Sequence, residues 1–153
     1  MSTLWRISNH LDLRGLGGTH FASRWTTLGR RVVFMAESPA GALLEVLVHL
    51  NEREDRLPRT FALLEIDAPD ELASRDLMPL AGVHWRDRTD VTQKLGDEWL
   101  ASLESPLARV PSAIVPRTWN LLLNPLHRDA EKLRIVSVIR ERFDTRLFTG
   151  GPR

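Results

Sequence analysis

The chain has neither cysteine nor tyrosine among its 153 residues. Without thiols there is no disulfide framework, no cysteine nucleophile and no cysteine-ligated zinc or iron–sulfur centre. Net charge is nearly absent as well: 21 Lys and Arg against 20 Asp and Glu leave +1 with histidine neutral. That balance removes the bulk electrostatic case for nucleic acid or an anionic membrane, so direct binding of either is not expected. No apolar run approaches the roughly eighteen residues that a membrane-spanning helix needs. The opening MSTLWRISNHLDLRGLGG lacks a basic start followed by an apolar block, so it does not read as a secretory signal. The expected compartment is the cytoplasm.

What is present suits a folded unit. The composition is 42% hydrophobic and 27% charged, and a chain of this length buries roughly 68–70% of the surface its unfolded form exposes. No repeat, low-complexity run or Gly/Ser linker divides it, so residues 1–153 read as one domain.

Thr3 to Ser8 has the density of a short opening strand, and Gly15, Gly17 and Gly18 mark a loop. Arg31 to Glu37 (RVVFMAE) reads as a buried strand. Ser38 followed by Pro39 is a helix start, a capping hydroxyl before proline at the first helical position. The helix Pro39 to Leu50 places Leu43, Leu47 and Leu50 on one face, widened by Ala40, Leu44 and Val46. Thr60 to Ala68 looks like another strand, and Pro69 to Asp90 holds short elements at best. Thr92 to Ser105 predicts a second amphipathic helix with Leu95, Trp99 and Leu103 in register and Gly96 as a weak point. Ala108 to Val115 is strand-like, with Pro111 suiting an edge or a bulge. Leu133 to Ile139 is a cleaner strand, Arg142 to Phe148 a last one, and the TGGPR tail should fray. Strands outnumber helices without regular alternation. The expected fold class is therefore α+β, a mixed, largely antiparallel sheet flanked by a few helices.

The chemistry-bearing residues are individually ambiguous. Gly15-x-Gly17 has His20 where a dinucleotide-binding fingerprint needs its third glycine, so the glycines read as a turn. The five histidines show no metal-ligand spacing and no GxSxG elbow exists. Glu45 is the only acid between Glu37 and Glu52. A carboxylate held beside apolar groups in a cleft is what a developing cation would want. Against that, Gly41, Glu45 and His49 share one stripe, which equally describes a solvated helix face. Arg6 and Arg24 have the planar fork that suits phosphate oxygens, in a chain with many arginines. Arg24-Trp25 pairs a guanidinium with an indole, although such a Trp is commonly core. Ser112 is a hydroxyl on an apolar strand and must hydrogen-bond something. Phe34 reads as core, and Asn120 and Asn124 as turn-formers or caps.

Taken in order, TrpArgIle at 5–7, the glycine loop, SRW at 23–25 with Gly29, VVFMAESPAGALLEVLVHL at 32–50, LGDEW at 95–99 and VPSAIVPRTWNLLLNPLH at 110–127 resemble the RES domain family. The resemblance covers nearly the whole chain. Its last block and the helix around Glu45 are the most specific parts. It implies an ADP-ribosyltransferase-like fold and the toxin role of a toxin–antitoxin pair, partnered by an antitoxin related to Xre helix-turn-helix regulators. It implies NAD as substrate, without a metal, cleaved at the nicotinamide–ribose bond by hydrolysis or phosphorolysis. Some relatives instead transfer ADP-ribose to a protein, and an inactive binding module is the non-enzymatic alternative. Carried over by position, the family's arginine, glutamate and serine fall on Arg24, Glu45 and Ser112, the expected catalytic residues. Arg6, Trp25, Phe34 and Asn120 are the expected substrate-binding ones. Where the family usually has tyrosine, this chain has Phe34, and Phe21 replaces a second, so stacking survives but a phenol donor is lost.

Overall fold

The computed structural model describes residues 1–51, 58–79 and 84–148. The strands are β1 (Ser2–Ile7), β2 (Val33–Ala36), β3 (Thr60–Ala68), β4 (Ser74–Asp76), β5 (Leu107–Pro111), β6 (Trp119–Leu123) and β7 (Arg134–Arg142). Two helices accompany them, α1 (Pro39–Asn51) and α2 (Thr89–Ser102). All seven strands join one sheet in the order β4-β5-β6-β2-β1-β3-β7. The β4–β5 pair is parallel and the others are antiparallel, which gives the mixed α+β sheet the composition predicts. No helix among the described residues is long and apolar enough to cross a membrane.

The sheet is buried on both sides near its middle. Leu121 and Leu123 face one core with Leu4, Val33, Met35, Leu64 and Ile66. Leu122, between them, faces the other core with Trp25, Trp99, Leu100, Ala108 and Val110. Strand alternation sends neighbours to opposite faces, so the unbroken Leu run of β6 is what burial on both sides requires. The sheet has a waist: β1 and β2 share the single registered pair Trp5↔Ala36, whereas β1 and β3 pair from Ser2↔Ala68 to Ile7↔Leu63.

Helix α1 begins as its capping pair dictates, with the Gly41 N–H donating to Ser38 Oγ at 3.0 Å. Its packing differs from the leucine-face expectation. Ala42 is the fully buried residue, Leu43, Leu44 and Leu47 are half-buried, and Ala40 is exposed. The polar-looking stripe is the one that approaches the sheet, because a Cβ added to Gly41 would stand 3.4 Å from the Ala36 Cβ.

Helix α2 ends at Ser102, with Leu103 in a left-handed conformation (φ 53°) and 49% exposed, so Leu103 is not part of its apolar face. Gly96 is less a weak point than a contact. A Cβ there would fall 1.7 Å from the Trp25 carbonyl oxygen, and only glycine lets α2 lie against that backbone. The expected last strand over Arg142–Phe148 is not formed. Strand β7 runs on through Arg142, and Asp144 then accepts from the Arg146 N–H at 2.9 Å, turning the chain into a 3-10 turn at Thr145–Leu147. Pro111 ends β5 beyond the last residue paired with β4, where its missing N–H leaves no ladder bond unmade. The TGGPR tail, from residue 149, lies outside the described residues.

Candidate active site

Glu45 sits midway along α1, half-buried, on the stripe that begins with Gly41. Gly41 rests against Ala36, and Ala36 pairs in register with Asn120 of β6. One helical turn after Gly41, the Glu45 side chain therefore reaches the Asn120 position. Asn120 Nδ2 donates to Glu45 Oε1 at 2.8 Å, and Ser112 Oγ donates to the same oxygen at 3.2 Å. Glu45 Oε2 takes no hydrogen bond among the described residues, so one carboxylate oxygen is fixed and the other is available. His49, a turn further on, is exposed as a solvated face would have it, but the half-buried Glu45 is held by Ser112 and Asn120 instead.

Ser112 owes its place to the β5–β6 turn. Its N–H donates to the Thr118 carbonyl at 2.8 Å, and its hydroxyl oxygen accepts the Ile114 and Val115 N–H groups at 3.1 and 3.2 Å. Both acceptor directions of the hydroxyl are thus used, and its one proton is committed to Glu45. At 3% exposure Ser112 is a satisfied buried hydroxyl that donates to one oxygen of the carboxylate.

Phe34 is half-buried on β2, two residues before Ala36 and hence on the Asn120 face of the sheet. Asn124, by contrast, is the turn-former: it donates to the Leu100 carbonyl and accepts from the Leu126 N–H.

Arg24 belongs to a segment strapped along α2. Its carbonyl accepts from Thr92 Oγ1, the Ser23 carbonyl accepts from Gln93 Nε2, and Asp97 accepts both the Thr27 N–H and its hydroxyl. The half-buried Arg24 side chain donates from Nη1 to the Arg86 carbonyl at 2.7 Å. Arg86 Nε in turn donates to the Ala113 carbonyl at 3.2 Å, next to Ser112. Arg24 is thus linked to the Glu45–Ser112 contact through Arg86 and Ala113. Sequence reasoning overlooked Arg86; the signal was Trp85-Arg86, the reverse of Arg24-Trp25. Trp25 and Trp85 rings lie 5.9 Å apart, and the Arg86 guanidinium lies 4.7 Å over the Trp85 ring.

Two expected substrate contacts are placed differently. Trp25 is 4% exposed in the core beneath α2, so its indole is a packing residue and has no open face for a ligand. Arg6 follows Leu4 by two residues and shares its sheet face, away from that of Phe34 and Asn120. There it lines a cavity of about 170 Å³ with His10, Asp12, Gly15, Leu16, Gly17 and His20. Arg6 Nη2 donates to Ser8 Oγ at 3.3 Å, while its buried Nε has no partner. Burial pushes this guanidinium below its ordinary value, offset in part by Asp12. Among the described residues no His, Asp and Glu side chains gather in threes as metal ligands.

A family model described as RES domain matches residues 3–146. A Pseudomonas putida protein named Toxin Res is 43% identical over 132 residues, covering 86% of this chain and 90% of that protein. A Sphingobium protein named Prs ADP-ribosylating toxin is 34% identical over 157 residues, covering 95% of this chain and 96% of its own. Among solved structures, a chain of the M. tuberculosis MbcT–MbcA toxin–antitoxin complex superposes with a TM-score of 0.74 at 21% identity, over 92% of this chain and 84% of that one. That likeness is one of fold. With a family match over nearly its full length and relatives 43% and 34% identical, the chain belongs to the RES domain family.

Proposed function

We propose that this protein is the toxin of a toxin–antitoxin pair and consumes NAD by breaking the bond between nicotinamide and ribose. The observation that carries the reading is Glu45, with one carboxylate oxygen clamped by Ser112 and Asn120 and the other without a hydrogen bond among the described residues. Heterolysis of the N-glycosidic bond leaves the electron pair on nicotinamide, which departs neutral, and builds oxocarbenium character on the ribose, as in other glycosyl transfers. A carboxylate already oriented by fixed dipoles stabilises that charge without reorganising at the moment of reaction. Water then adds at the anomeric carbon and releases a proton, giving ADP-ribose; phosphate as acceptor gives the corresponding phosphorolysis product.

In this reading Arg24 binds the diphosphate and Phe34 stacks on a ring of the substrate, while Arg6, on the opposite face of the sheet, takes no part. Ser112 and Asn120 are positioning residues for Glu45. Support for the toxin role comes from the relatives named Toxin Res and from the fold shared with the toxin–antitoxin complex. The partner is then an antitoxin of the Xre helix-turn-helix type, and the site of action is the cytoplasm.

A second reading, transfer of ADP-ribose to a cellular protein, is favoured by the relative named for ADP-ribosylation. It shares the bond cleavage and differs in the acceptor. Purified protein given NAD, with and without phosphate, should release nicotinamide, and labelled NAD added to lysate should reveal whether label stays on a protein band. Glu45→Gln should lower release by about a hundredfold or more with an unchanged melting temperature. Equal activity in that variant removes Glu45 from the chemistry.

A further inference from the structure

Two Arg/Trp dipeptides of opposite order meet beside the candidate site. Arg24-Trp25 and Trp85-Arg86 are joined ring to ring at 5.9 Å and guanidinium to carbonyl at 2.7 Å. The Trp25 end of the unit is immobilised by burial and by the close seat of Gly96 on its carbonyl. The Arg86 end is tied to the Ser112 turn through Ala113. Arg24 uses one side-chain nitrogen, Nη1, and Arg86 uses only Nε. The remaining guanidinium nitrogens of both make no hydrogen bond or ion pair among the described residues. Neither guanidinium has a counter-charge among the described residues, and an anion that reaches both satisfies the two together.

We infer that Arg86 is a second diphosphate-binding residue, forming with Arg24 a two-guanidinium clamp that holds the ligand's phosphates at a fixed distance from Glu45. The inference rests on the NAD reading for the identity of the ligand. Its geometric basis, two unneutralised guanidiniums coupled through Arg86 to Ser112, is independent of any turnover. The stacking of Arg86 on Trp85 fixes the plane of the fork before a ligand arrives, so little rotamer freedom is left to lose on binding. The Nε bond to Ala113 sets its distance from the Ser112 turn.

The test is titration calorimetry with ADP-ribose and with adenosine on wild type, Arg86→Ala and Arg86→Lys, with nicotinamide release measured alongside. In Arg86→Ala the ADP-ribose dissociation constant should rise about tenfold to a hundredfold, with adenosine affinity unchanged. Arg86→Lys should recover part of the loss, since it restores charge without the fork. In turnover, Arg86→Ala should raise KM for NAD far more than it lowers kcat. Unaltered ADP-ribose binding in Arg86→Ala overturns the inference, as does a parallel loss of ADP-ribose and adenosine with a lower melting temperature, which marks a merely structural strap. Absence of ADP-ribose binding to the wild type overturns it too. A wild type that binds ADP-ribose through Arg86 but releases no nicotinamide leaves the clamp standing and defeats the proposed reaction instead.

Discussion

Asn120 Nδ2 lies 2.8 Å from Glu45 Oε1, a contact made across 75 positions of sequence from a strand to a helix on one face of the sheet. Ser112 shares the same oxygen, so two neutral donors and one carboxylate act as a unit.

Because both donors hold one oxygen, their removal should be strongly coupled. Ser112→Ala and Asn120→Ala are each expected to reduce nicotinamide release by about tenfold. The double variant should fall short of the product of the two, with an interaction energy of about 1 kcal/mol or more. A double-mutant cycle on kcat/KM measures this, and strict additivity would show that the two donors act separately.

Gly96→Ala should be among the more damaging single-methyl changes available. The added Cβ meets the Trp25 backbone, which has no flexible end to swing aside. The expected loss is about 3 kcal/mol, at the upper end of overpacking costs, or about 6–12 °C in melting temperature for a domain of this size. Scanning calorimetry or a CD melt checks it. A stable Gly96→Ala protein would mean that α2 is not seated on the Arg24-Trp25 segment as described.

Arg6→Met should separate stability from function. The guanidinium is largely desolvated and its Nε is unmet, so an apolar side chain of similar length removes a burial penalty at the loss of one long hydrogen bond to Ser8. The melting temperature should hold or rise while KM for NAD stays unchanged, because Arg6 faces away from Phe34 and Asn120. A marked rise in KM for NAD would return Arg6 to substrate binding, and a marked fall in melting temperature would show that its buried guanidinium is stabilising.

Asp144 offers a pH marker at the end of β7. Hydrogen bonds from the Arg146 side chain and N–H lower its carboxyl from 3.8 to about 2. A depressed folded value means that the contact favours the native state above pH 3.8, and that this contribution disappears as pH falls through about 2. Carboxyl chemical shifts followed by NMR should titrate near 2 for Asp144, and Arg146→Ala should return the midpoint toward 3.8. An ordinary midpoint in the native protein would dissolve the cap.

Local signals in the chain led to α1 almost residue for residue, because a capping serine, a proline at the first position and a run of good helix formers all act within one turn of each other. Strands β2, β3 and the first part of β7 were equally legible from β-branched and apolar density. Strand β6 was not: WNLLL carries no alternation, since its neighbours are buried on both faces, and periodicity is silent there. The end of β7 was misread because apolar residues in RFDTRLF suggested a strand, while the Asp144 side chain diverts the backbone into a turn.

The candidate site divides along the same line. Residue chemistry left Glu45, Ser112 and Asn120 ambiguous one by one, and it was the order of motifs along the chain, through the family resemblance, that nominated them. Which stripe of α1 faces the sheet, whether Trp25 is a ligand platform or a core residue, and that Arg86 stands between Arg24 and Ser112 were decided only by packing. Such contacts join segments far apart in sequence, 62 positions for Arg24 and Arg86 and 67 for Ser112 and Glu45. They depend on sheet register and on a glycine's absent side chain, quantities that no local stretch of sequence encodes.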